Sequence, residues 1–336
     1  MEVPSQCQQS FAAARRASYR VVLVGAGTMG KRHLQVVQAS PHTRLSAIYD
    51  PRPTGDLGLA THHAVRHVRT RDEYRRCLDN ADIVVIAAET SSHLTVTLDA
   101  IDAGVSCLLE KPATGLASAC QQIAEASRAC GVKVAVAHVE RFNAALIEAE
   151  AYVRGRSWQK IQLTRLNPSS ARMKHQSLVG DLMVHDIDIA LHVFKQHVHG
   201  ECRVTACCHD ADGLAYLCVQ YVSVGGSEVE ICCGRLPGAQ VRHIRVSGGG
   251  LDCHADLLRR SVDMQGPSPA QRRVLASASV DALAAQLEEF IEFIATGEKG
   301  RRAMLDSVHA SLSLCADIEQ RADARFLRSP TIAIDQ

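Results

Sequence analysis

The chain has 336 residues, of which 46% are hydrophobic and 22% are charged, and its formal net charge is +1. That length suffices for a large core and about two domains. The low net charge excludes a global electrostatic attraction to nucleic acid or to an anionic membrane, and no apolar run approaches the roughly 20 residues of a membrane helix. We therefore expect a cytoplasmic protein with neither nucleic acid nor membrane as a partner.

The first part of the chain alternates between strand-like and helical patterns. The segment 1–18 lacks the apolar core of a secretory signal, and we interpret it as a flexible extension. Strand-like apolar runs follow at 19–24, 45–49, 65–68, 83–88, 105–109 and 132–137, and the helical patterns between them include 29–38, 91–103 and 116–130. Strands that alternate with helices of this length predict a doubly wound parallel sheet covered on both faces.

The second part has a different order of elements. Two helical patterns, 141–153 and 181–194, precede strand-like runs joined by glycine-rich turns, and two more helical patterns end the chain. The strand-like runs are 203–207, 215–222, 228–233 and 243–247, and the closing helices are 280–296 and 304–321. Consecutive strands with short turns predict a mostly antiparallel sheet. We place the first domain at 19–138 and the second at 139–336, with the closing helices packing back on the first domain.

Thirteen cysteines are a high number, but their placement does not predict a disulfide framework or a zinc site. No C-x-x-C pair is present, and Cys207-Cys208 and Cys232-Cys233 are adjacent pairs inside strand-like runs, where neighbours point to opposite faces. Cys107 and Cys218 lie in apolar runs as well. We interpret these residues as small core side chains of a protein in a reducing compartment.

The stretch VVLVGAGTMGKRHL carries a glycine-rich turn directly after the first strand. Gly25 permits the tight turn, Gly27 lets the backbone approach a pyrophosphate, and Gly30 allows close packing of helix on strand. The helix that follows begins at about Thr28 and Met29, and its N-terminus offers N–H groups to phosphates. In a chain of alternating strands and helices, this motif predicts a Rossmann dinucleotide-binding domain.

Asp50 and Arg52 bear on the choice of cofactor. Asp50 ends the second strand, twenty residues after Gly30, where a carboxylate accepts hydrogen bonds from the adenosine ribose hydroxyls. That carboxylate repels a 2′-phosphate, so NAD is favoured over NADP. Arg52 leaves NADP open, because its guanidinium is able to bind a 2′-phosphate, and a simple turn role for Asp50 before Pro51 is the structural alternative.

The stretch VSCLLEKP ends a buried strand in a carboxylate, an amine and a proline. In a doubly wound sheet, ligands bind outside the carboxyl ends of the strands, so Glu110 and Lys111 should face the same crevice as the glycine turn. The segment that follows the fourth strand reaches the same edge, and its candidate cofactor contacts are Ala88, Glu89 and His93. A lysine beside a nicotinamide is able to exchange a proton with a substrate hydroxyl.

The stretch GDLMVHDIDIALHVF predicts a largely buried helix that carries charged residues. Asp181 and His185 are four residues apart and therefore share a face, where the histidine is able to take a proton from a substrate hydroxyl. Asp181 is able to orient that histidine or to bind another hydroxyl of the substrate. An N-cap role for Asp181 after Gly180 is the alternative. Asp186 and Asp188 are expected to make structural hydrogen bonds, and we expect no metal site, because adjacent residues diverge around a helix.

Five motifs in order carry a resemblance to one family. The motifs VGAGTMGKRH, AAETSSH, LLEKP, AHVERFN and GDLMVHDIDIA resemble those of the Gfo/Idh/MocA oxidoreductases, over roughly 20–325. The resemblance implies a Rossmann domain followed by an α/β domain with an open, mostly antiparallel sheet, which often forms a homodimer or homotetramer interface. It implies hydride transfer between nicotinamide and a sugar or cyclitol carbon.

The resemblance also assigns roles to single residues. Lys111 matches the family's catalytic lysine, and Asp181 and His185 match its Asp-x-x-x-His pair. Glu110 matches a carboxylate near the nicotinamide ribose, and His93 matches a histidine near the cofactor.

The substrate side is less specific. Arg141 and Asn143 follow the last Rossmann strand and are candidate substrate contacts, with a salt-bridged helix start as the alternative. Arg172 and Lys174 are candidates for binding a carboxylate or phosphate, as in the branch that oxidises nucleotide-sugar acids. The sequence departs from the family pattern at three positions. Glu89 places a negative charge near the cofactor and weakens the prediction of the ribose contacts, and His175 and Gln176 weaken the prediction of a nucleotide-sugar substrate.

Three functions remain open from the sequence. The first is an NAD-dependent dehydrogenase of a sugar, cyclitol or nucleotide-sugar. The second is a related reductase of a non-sugar ketone, imine or tetrapyrrole-like substrate, and the third is a non-catalytic dinucleotide-binding regulator. The presence of Lys111, Asp181 and His185 argues against a regulator, which needs only the glycine turn and Asp50.

Overall fold

The structure is a computed structural model that describes residues 18–58, 65–169, 177–211, 213–266, 268, 273–276, 281–298, 300–301 and 303–326. The predicted extension 1–18 lies almost wholly outside these residues. Contacts between residues divide the chain into two units: the first takes in the chain as far as Val139 together with Asp281–His309, and the second begins at Glu140 and takes in the rest.

The first unit is built on one sheet with helices between its strands. Its strands are β1 (Tyr19–Val24), β2 (Thr43–Tyr49), β3 (Arg66–Val68), β4 (Ile83–Ile86), β5 (Ser106–Glu110), β6 (Val134–Ala137) and β15 (Ala303–Met304). Its helices are α1 (Thr28–Ala39), α2 (Arg71–Leu78), α3 (Thr90–Asp102), α4 (Ala117–Cys130) and α7 (Ala282–Thr296).

The strand order in this sheet is β15-β6-β5-β4-β1-β2-β3, and every pair is parallel except β15 with β6. The predicted parallel sheet is therefore confirmed. The order reverses between β1 and β4, and in doubly wound sheets ligands bind at the carboxyl ends of the strands beside such a point. β4 consists wholly of buried aliphatic residues, and β1 is buried at every position except Arg20, as expected for strands covered on both faces.

α2 was absent from the predicted elements, and its composition explains why. Its sequence, RDEYRRCL, is mostly charged and buries Tyr74, Cys77 and Leu78 alone. The helix begins at a capping box in which Thr70 accepts from the amide of Glu73 and the Glu73 carboxylate accepts from the amide of Thr70. The start of the helix is thus stabilised locally, whereas its apolar face is too small to give a clear period.

The second unit is built on an eight-stranded sheet. Its strands are β7 (Lys160–Asn167), β8 (Val198–Asp210), β9 (Gly213–Ser223), β10 (Glu228–Arg235), β11 (Val241–Gly248), β12 (Leu251–Asp256), β13 (Ser261–Gln265) and β14 (Arg273–Ala276). The order is β14-β13-β12-β11-β7-β10-β9-β8, and β7 with β10 is the parallel pair. The predicted, mostly antiparallel sheet is confirmed. The helices are α5 (Ala144–Val153), α6 (Val184–Asp188) and α8 (Leu305–Phe326), and α8 enters this unit at Ala310.

Two predicted helices differ from the observed ones at their N-terminal ends. The helix predicted from residue 141 begins at Ala144, because Val139–Phe142 forms a separate 3₁₀ turn before it. The helix predicted from residue 181 begins at Val179, and π-helical turns, Val179–Met183 and Ile189–Val193, flank α6. Such turns are frequent at functional sites.

The expectation that no cysteines are paired is wrong at one place. Cys218 on β9 and Cys232 on β10 form a disulfide bond. They are direct partners across this antiparallel pair, with Cα atoms 4.1 Å apart, a separation at which two facing side chains meet. The sequence contains both cysteines but not the register that pairs them. The other described cysteines form no disulfide bond, and most of them are buried.

No helix in the described part of the chain is both long enough and apolar enough to cross a membrane.

Candidate active site

The glycine turn joins β1 to α1 and leaves no room for side chains at two positions. Gly25 has φ of +87°, and a Cβ there would lie 2.6 Å from the Cα of Ala88. A Cβ on Gly30 would lie 1.9 Å from the carbonyl oxygen of Gly25. The turn is therefore closed on its inner side by its own backbone and by the segment after β4.

The outer side of the same turn is accessible. Thr28 is exposed, Gly27 and Met29 are partly exposed, and the first turn of α1 contains no acidic residue. A helix N-terminus without nearby carboxylates favours an anion, because its amide dipoles point outward. The residues present therefore fit a dinucleotide pyrophosphate.

Asp50 lies directly after β2 and is buried. Its carboxylate accepts hydrogen bonds from the amides of Ala26 and Arg52 and from the Arg52 side chain. Burial alone would raise the pKa of Asp50, but the hydrogen bonds from Arg52 and Ala26 lower it from 3.8 to about 2. Asp50 is therefore a fixed anion at the edge of the glycine turn.

Arg52 lies in anionic surroundings. Its side chain is half exposed, and the hydrogen bonds to Asp50, together with the charges of Asp50, Asp56 and Glu89, raise the pKa of Arg52. Glu89, at the start of α3, is exposed. A 2′-phosphate at Arg52 would therefore meet three carboxylates as well as one guanidinium, which favours NAD.

His93 is buried inside the first unit. Its Nδ1 atom lies 3.1 Å from the carbonyl oxygen of Pro112 and 3.3 Å from that of Ala113, and its Nε2 atom lies 3.1 Å from that of Ala88. Burial lowers the pKa of His93, although the three carbonyl groups favour the protonated ring. Both ring nitrogens therefore face backbone of the protein, between the segment after β4 and the segment after β5.

Glu110 and Lys111 lie where β5 ends. Glu110 is buried as its last residue, and Lys111 and Pro112 are partly exposed beyond it. One carboxylate oxygen of Glu110 accepts from the amide of Lys111 at 3.1 Å. The Lys111–Pro112 peptide bond is cis. The structure thus brings Lys111 to the same edge of the sheet as the glycine turn and Asp50.

His33 is a buried residue of this unit that the sequence analysis assigned no role. It lies on α1, three residues after Gly30, and its Nε2 atom is 2.8 Å from the other carboxylate oxygen of Glu110. The signal was present in the motif VGAGTMGKRH, whose last residue is His33. Only the tertiary structure shows that the partner of His33 is Glu110, 77 residues away along the chain.

In the second unit, Asp181 lies inside the helical segment rather than at its start. The alternative N-cap role of Asp181 is therefore wrong, because the helix begins two residues earlier and the Ser177 hydroxyl accepts from the amide of Gly180. The Asp181 carboxylate lies 3.1 Å from Nη2 of Arg235, at the end of β10. Arg235 is a second residue that the sequence analysis did not single out.

His185 and the two following aspartates occupy different environments on this segment. His185 is partly exposed, whereas Asp186 and Asp188 are buried. Asp186 receives two hydrogen bonds from Arg165, and Asp188 receives two from Arg141. The structural hydrogen bonds predicted for both aspartates are confirmed. Because these two ion pairs hold the helix in one rotation about its axis, they also set the direction in which His185 leaves the helix.

Arg165 lies at the centre of a buried ionic network. Besides Asp186 it contacts Glu140, which also pairs with Arg242. Burial alone would raise the pKa of Glu140, but the guanidinium groups of Arg165 and Arg242 hold it below its usual value. Two arginines thus balance two carboxylates, as buried charges require.

The two candidate substrate residues after β6 have protein partners. Arg141 is buried and forms a salt bridge with Asp188, as in the alternative to a substrate contact that the sequence left open. Asn143 caps α5, accepting from the amide of Ala145, and it donates to the carbonyl oxygen of Leu257. Contacts of either with substrate stay predictions.

Arg172, Lys174, His175 and Gln176 lie outside the described residues. Within the described ranges, no group of three or more His, Cys, Asp or Glu side chains is placed to hold a metal ion.

Each unit carries its own set of candidate functional residues. The first combines an anion-binding turn, a fixed carboxylate and a partly exposed lysine at the carboxyl ends of β1, β2 and β5. The second combines a partly exposed histidine with an aspartate held by an arginine. The groups of the first unit fit a dinucleotide, and a histidine such as that of the second unit is able to exchange a proton with a hydroxyl or carbonyl group.

Comparisons with known proteins agree with this assignment. UDP-N-acetylglucosamine 3-dehydrogenase of Acidithiobacillus ferrooxidans is 22% identical over 319 residues, which cover 90% of this chain and 99% of that protein. Its crystal structure superposes with a TM-score of 0.82 over 91% of this chain and 98% of that chain, at 21% identity.

Inositol 2-dehydrogenase of Corynebacterium glutamicum is 29% identical over 178 residues, 51% of this chain and 53% of that protein. The model of the Gfo/Idh/MocA oxidoreductases, described as an oxidoreductase family with an NAD-binding Rossmann fold, matches residues 19–138. Residues 19–138 therefore match the NAD-binding Rossmann domain of the Gfo/Idh/MocA oxidoreductase family.

Proposed function

We propose that the protein is an NAD-dependent dehydrogenase that oxidises a hydroxyl-bearing carbon of a sugar, cyclitol or nucleotide-sugar. The observation that carries the proposal is the position of Lys111, directly after β5, at the same sheet edge as the glycine turn and the fixed carboxylate of Asp50. An ammonium group at this edge has a function in a dehydrogenase but none in a protein that merely binds a dinucleotide.

Nicotinamide, when bound, supplies the hydride acceptor. Lys111 donates a hydrogen bond to the substrate oxygen that loses its hydrogen and stabilises the negative charge that develops there. His185 takes the proton from the same hydroxyl group, since a histidine titrates near neutral pH. Each acid–base group of this kind contributes roughly 10²–10⁴-fold to the rate.

Asp181 and Arg235 are assigned to substrate binding. A carboxylate accepts hydrogen bonds from sugar hydroxyls, and Arg235, 3.1 Å away, holds its orientation. Arg141 and Asn143 are assigned to the same role more weakly, because their side chains already have the protein partners described above.

A nucleotide-sugar is the favoured substrate class. The relative that matches nearly the whole chain is named as a UDP-N-acetylglucosamine 3-dehydrogenase. The cations proposed here for the nucleotide phosphates or a sugar carboxylate are Arg172 and Lys174.

The cofactor choice is tested first, by fluorescence titration with NADH and separately with NADPH. We expect NADH to bind more tightly, because Asp50 and Glu89 repel a 2′-phosphate. Protein denatured beforehand should be examined for released nucleotide, so that retained cofactor is not mistaken for failure to bind. Tighter binding of NADPH would instead favour a reductase.

The activity is tested with NAD and a panel of UDP-sugars, free sugars and inositols, with NADH absorbance as the readout. Lys111→Met should bind NADH as the wild type does but lose turnover by at least about a hundredfold. Lys160→Met, a control at a surface lysine paired with Glu228, should turn over normally. Unchanged turnover in Lys111→Met would contradict the mechanism.

Assembly as a homodimer or homotetramer through the sheet of the second unit stays a prediction. Sedimentation equilibrium at several concentrations tests it. A monomer at all concentrations would exclude it.

A further inference from the structure

Glu110 bridges two parts of the first unit that carry different functions. One carboxylate oxygen lies 2.8 Å from Nε2 of His33, on the helix that follows the glycine turn. The other oxygen accepts from the backbone amide of Lys111. A continuous chain of hydrogen bonds therefore runs from α1 through Glu110 to the backbone of the lysine to which we assign the chemistry.

Both partners in this bridge are shielded from water. The side chains of His33 and Glu110 are 3% and 7% exposed. A carboxylate in such a place is costly unless it is hydrogen-bonded on both oxygens, so His33 and the Lys111 amide jointly fix its orientation. The resemblance places Glu110 near the nicotinamide ribose. A ribose hydroxyl that bound its carboxylate would have to compete with His33 and the Lys111 amide for the same two oxygens.

A second histidine holds the other side of the same turn. His93, on α3, contacts the carbonyl oxygens of Pro112 and Ala113 through Nδ1 and that of Ala88 through Nε2. Residues 110–113 are thus held from two helices, α1 and α3. The chain between them presents Lys111, whose direction is set by the backbone that these contacts hold.

We propose that His33 is a positioning residue that acts through Glu110 to fix the backbone of Lys111. His93 holds the next two residues of the turn in the same way. The chemical consequence rests on the proposed function, since it requires that Lys111 act in turnover, whereas the hydrogen-bond bridge itself does not. Misplacement of a catalytic group by about 1 Å is enough to cost roughly a hundredfold in rate.

The variants are His33→Leu, which removes the donor, and His33→Gln, whose amide nitrogen occupies nearly the position of Nε2. Because His33→Leu leaves Glu110 without one partner and risks misfolding, Glu110→Gln is the second probe: its neutral amide is unable to accept from both His33 and Lys111. His42→Leu, at a half-exposed histidine of the same unit, is the control.

The bridge is measured by hydrogen exchange at the Lys111 amide, which needs no substrate. We expect exchange to be faster by about tenfold or more in His33→Leu and in Glu110→Gln, and close to wild type in His33→Gln and His42→Leu. Wild-type exchange in both His33→Leu and Glu110→Gln would overturn the proposal.

The catalytic consequence is measured as kcat beside the dissociation constant for NADH. His33→Leu should lower kcat by about tenfold or more while NADH affinity stays within about twofold, and His33→Gln should recover most of the rate. In a Lys111→Met background, His33→Leu should cause no further loss, because the group that it positions is absent.

Two results would overturn the catalytic part. If His33→Leu lowered NADH affinity as much as kcat, Glu110 would be a cofactor ligand. If the losses in kcat from His33→Leu and Lys111→Met were additive in the double variant, His33 would act independently of Lys111. If wild-type protein turns over none of the sugars tested, the proposed function fails, whereas the exchange measurement still decides whether His33 fixes the Lys111 backbone.

Discussion

Asp50 and Arg52, two residues apart, are joined by two side-chain hydrogen bonds, Nε to Oδ1 at 2.9 Å and Nη2 to Oδ2 at 2.7 Å. The amides of Arg52 and Ala26 each add one more to the same carboxylate. A carboxylate has about four acceptor positions. The Arg52 side chain therefore occupies the acceptor positions that the ribose hydroxyls need under the predicted role of Asp50, and with that role one of the two must yield when a dinucleotide binds.

We predict that Arg52→Ala tightens NADH binding, by about three- to tenfold, because the acceptor positions of Asp50 become available to the ribose. Fluorescence titration measures both nucleotides. Arg69→Ala, at an exposed neighbour that donates to the carbonyl oxygen of Pro51, is the control and should bind both normally. A selective loss of NADPH binding in Arg52→Ala would identify Arg52 as a reader of the 2′-phosphate instead.

The depressed pKa of Asp50 makes a prediction about acid stability. A carboxyl group whose pKa falls from 3.8 when unfolded to about 2 when folded stabilises the fold fully above about pH 4. That contribution is lost as the pH falls toward 2. At pH 5 the wild type should be more stable than Asp50→Asn in denaturant unfolding. This difference in the free energy of unfolding should shrink as the pH falls and should lie within the error of the method at pH 2. A constant difference over that range would mean that Asp50 stabilises the fold without its charge.

Gly30→Ala should abolish NADH binding, because its Cβ would lie 1.9 Å from the carbonyl oxygen of Gly25 and would force the glycine turn apart. Calorimetric titration measures the binding, and circular dichroism establishes whether the domain is folded. Gly115→Ala, where a Cβ would meet no atom within 4 Å, should leave stability unchanged. Wild-type affinity in Gly30→Ala would show that the turn tolerates displacement of α1.

Arg165→Met should lower the free energy of unfolding by about 3–5 kcal/mol, because it leaves Glu140 and Asp186 buried with fewer partners. Arg245→Met, which breaks an exposed pair with Asp252, should cost less than about 1 kcal/mol. Urea unfolding measures both. Equal losses would mean that the network adds no more than a surface pair.

The sequence was most informative where structure is local. β1 matches its predicted run at both ends, because a strand buried on both faces reads as a continuous apolar stretch. Gly25, Asp50 and Lys111 were placed at one sheet edge from their positions directly after predicted parallel strands alone. Sheet polarity follows from the order of elements, since parallel strands need a crossover.

β7 was missed because one of its buried positions is an arginine. Ile161, Leu163 and Arg165 are buried at alternate positions, and the charge breaks the apolar pattern. The carboxylates that neutralise the Arg165 charge belong to Glu140 and Asp186, which are 25 and 21 residues away along the chain. A pattern read along the chain contains no such partners.

The sequence by itself determined the resemblance to the family, the parallel and antiparallel sheets, the glycine turn and the candidate lysine, because periodicity and motif spacing are properties of neighbouring residues. Only the tertiary structure decided that Arg52 covers Asp50, that Arg235 lies beside Asp181, and that His33 reaches Glu110. Those contacts depend on strand register and on how helices pack on the sheet. These features are set by the burial of the whole core rather than by any local stretch.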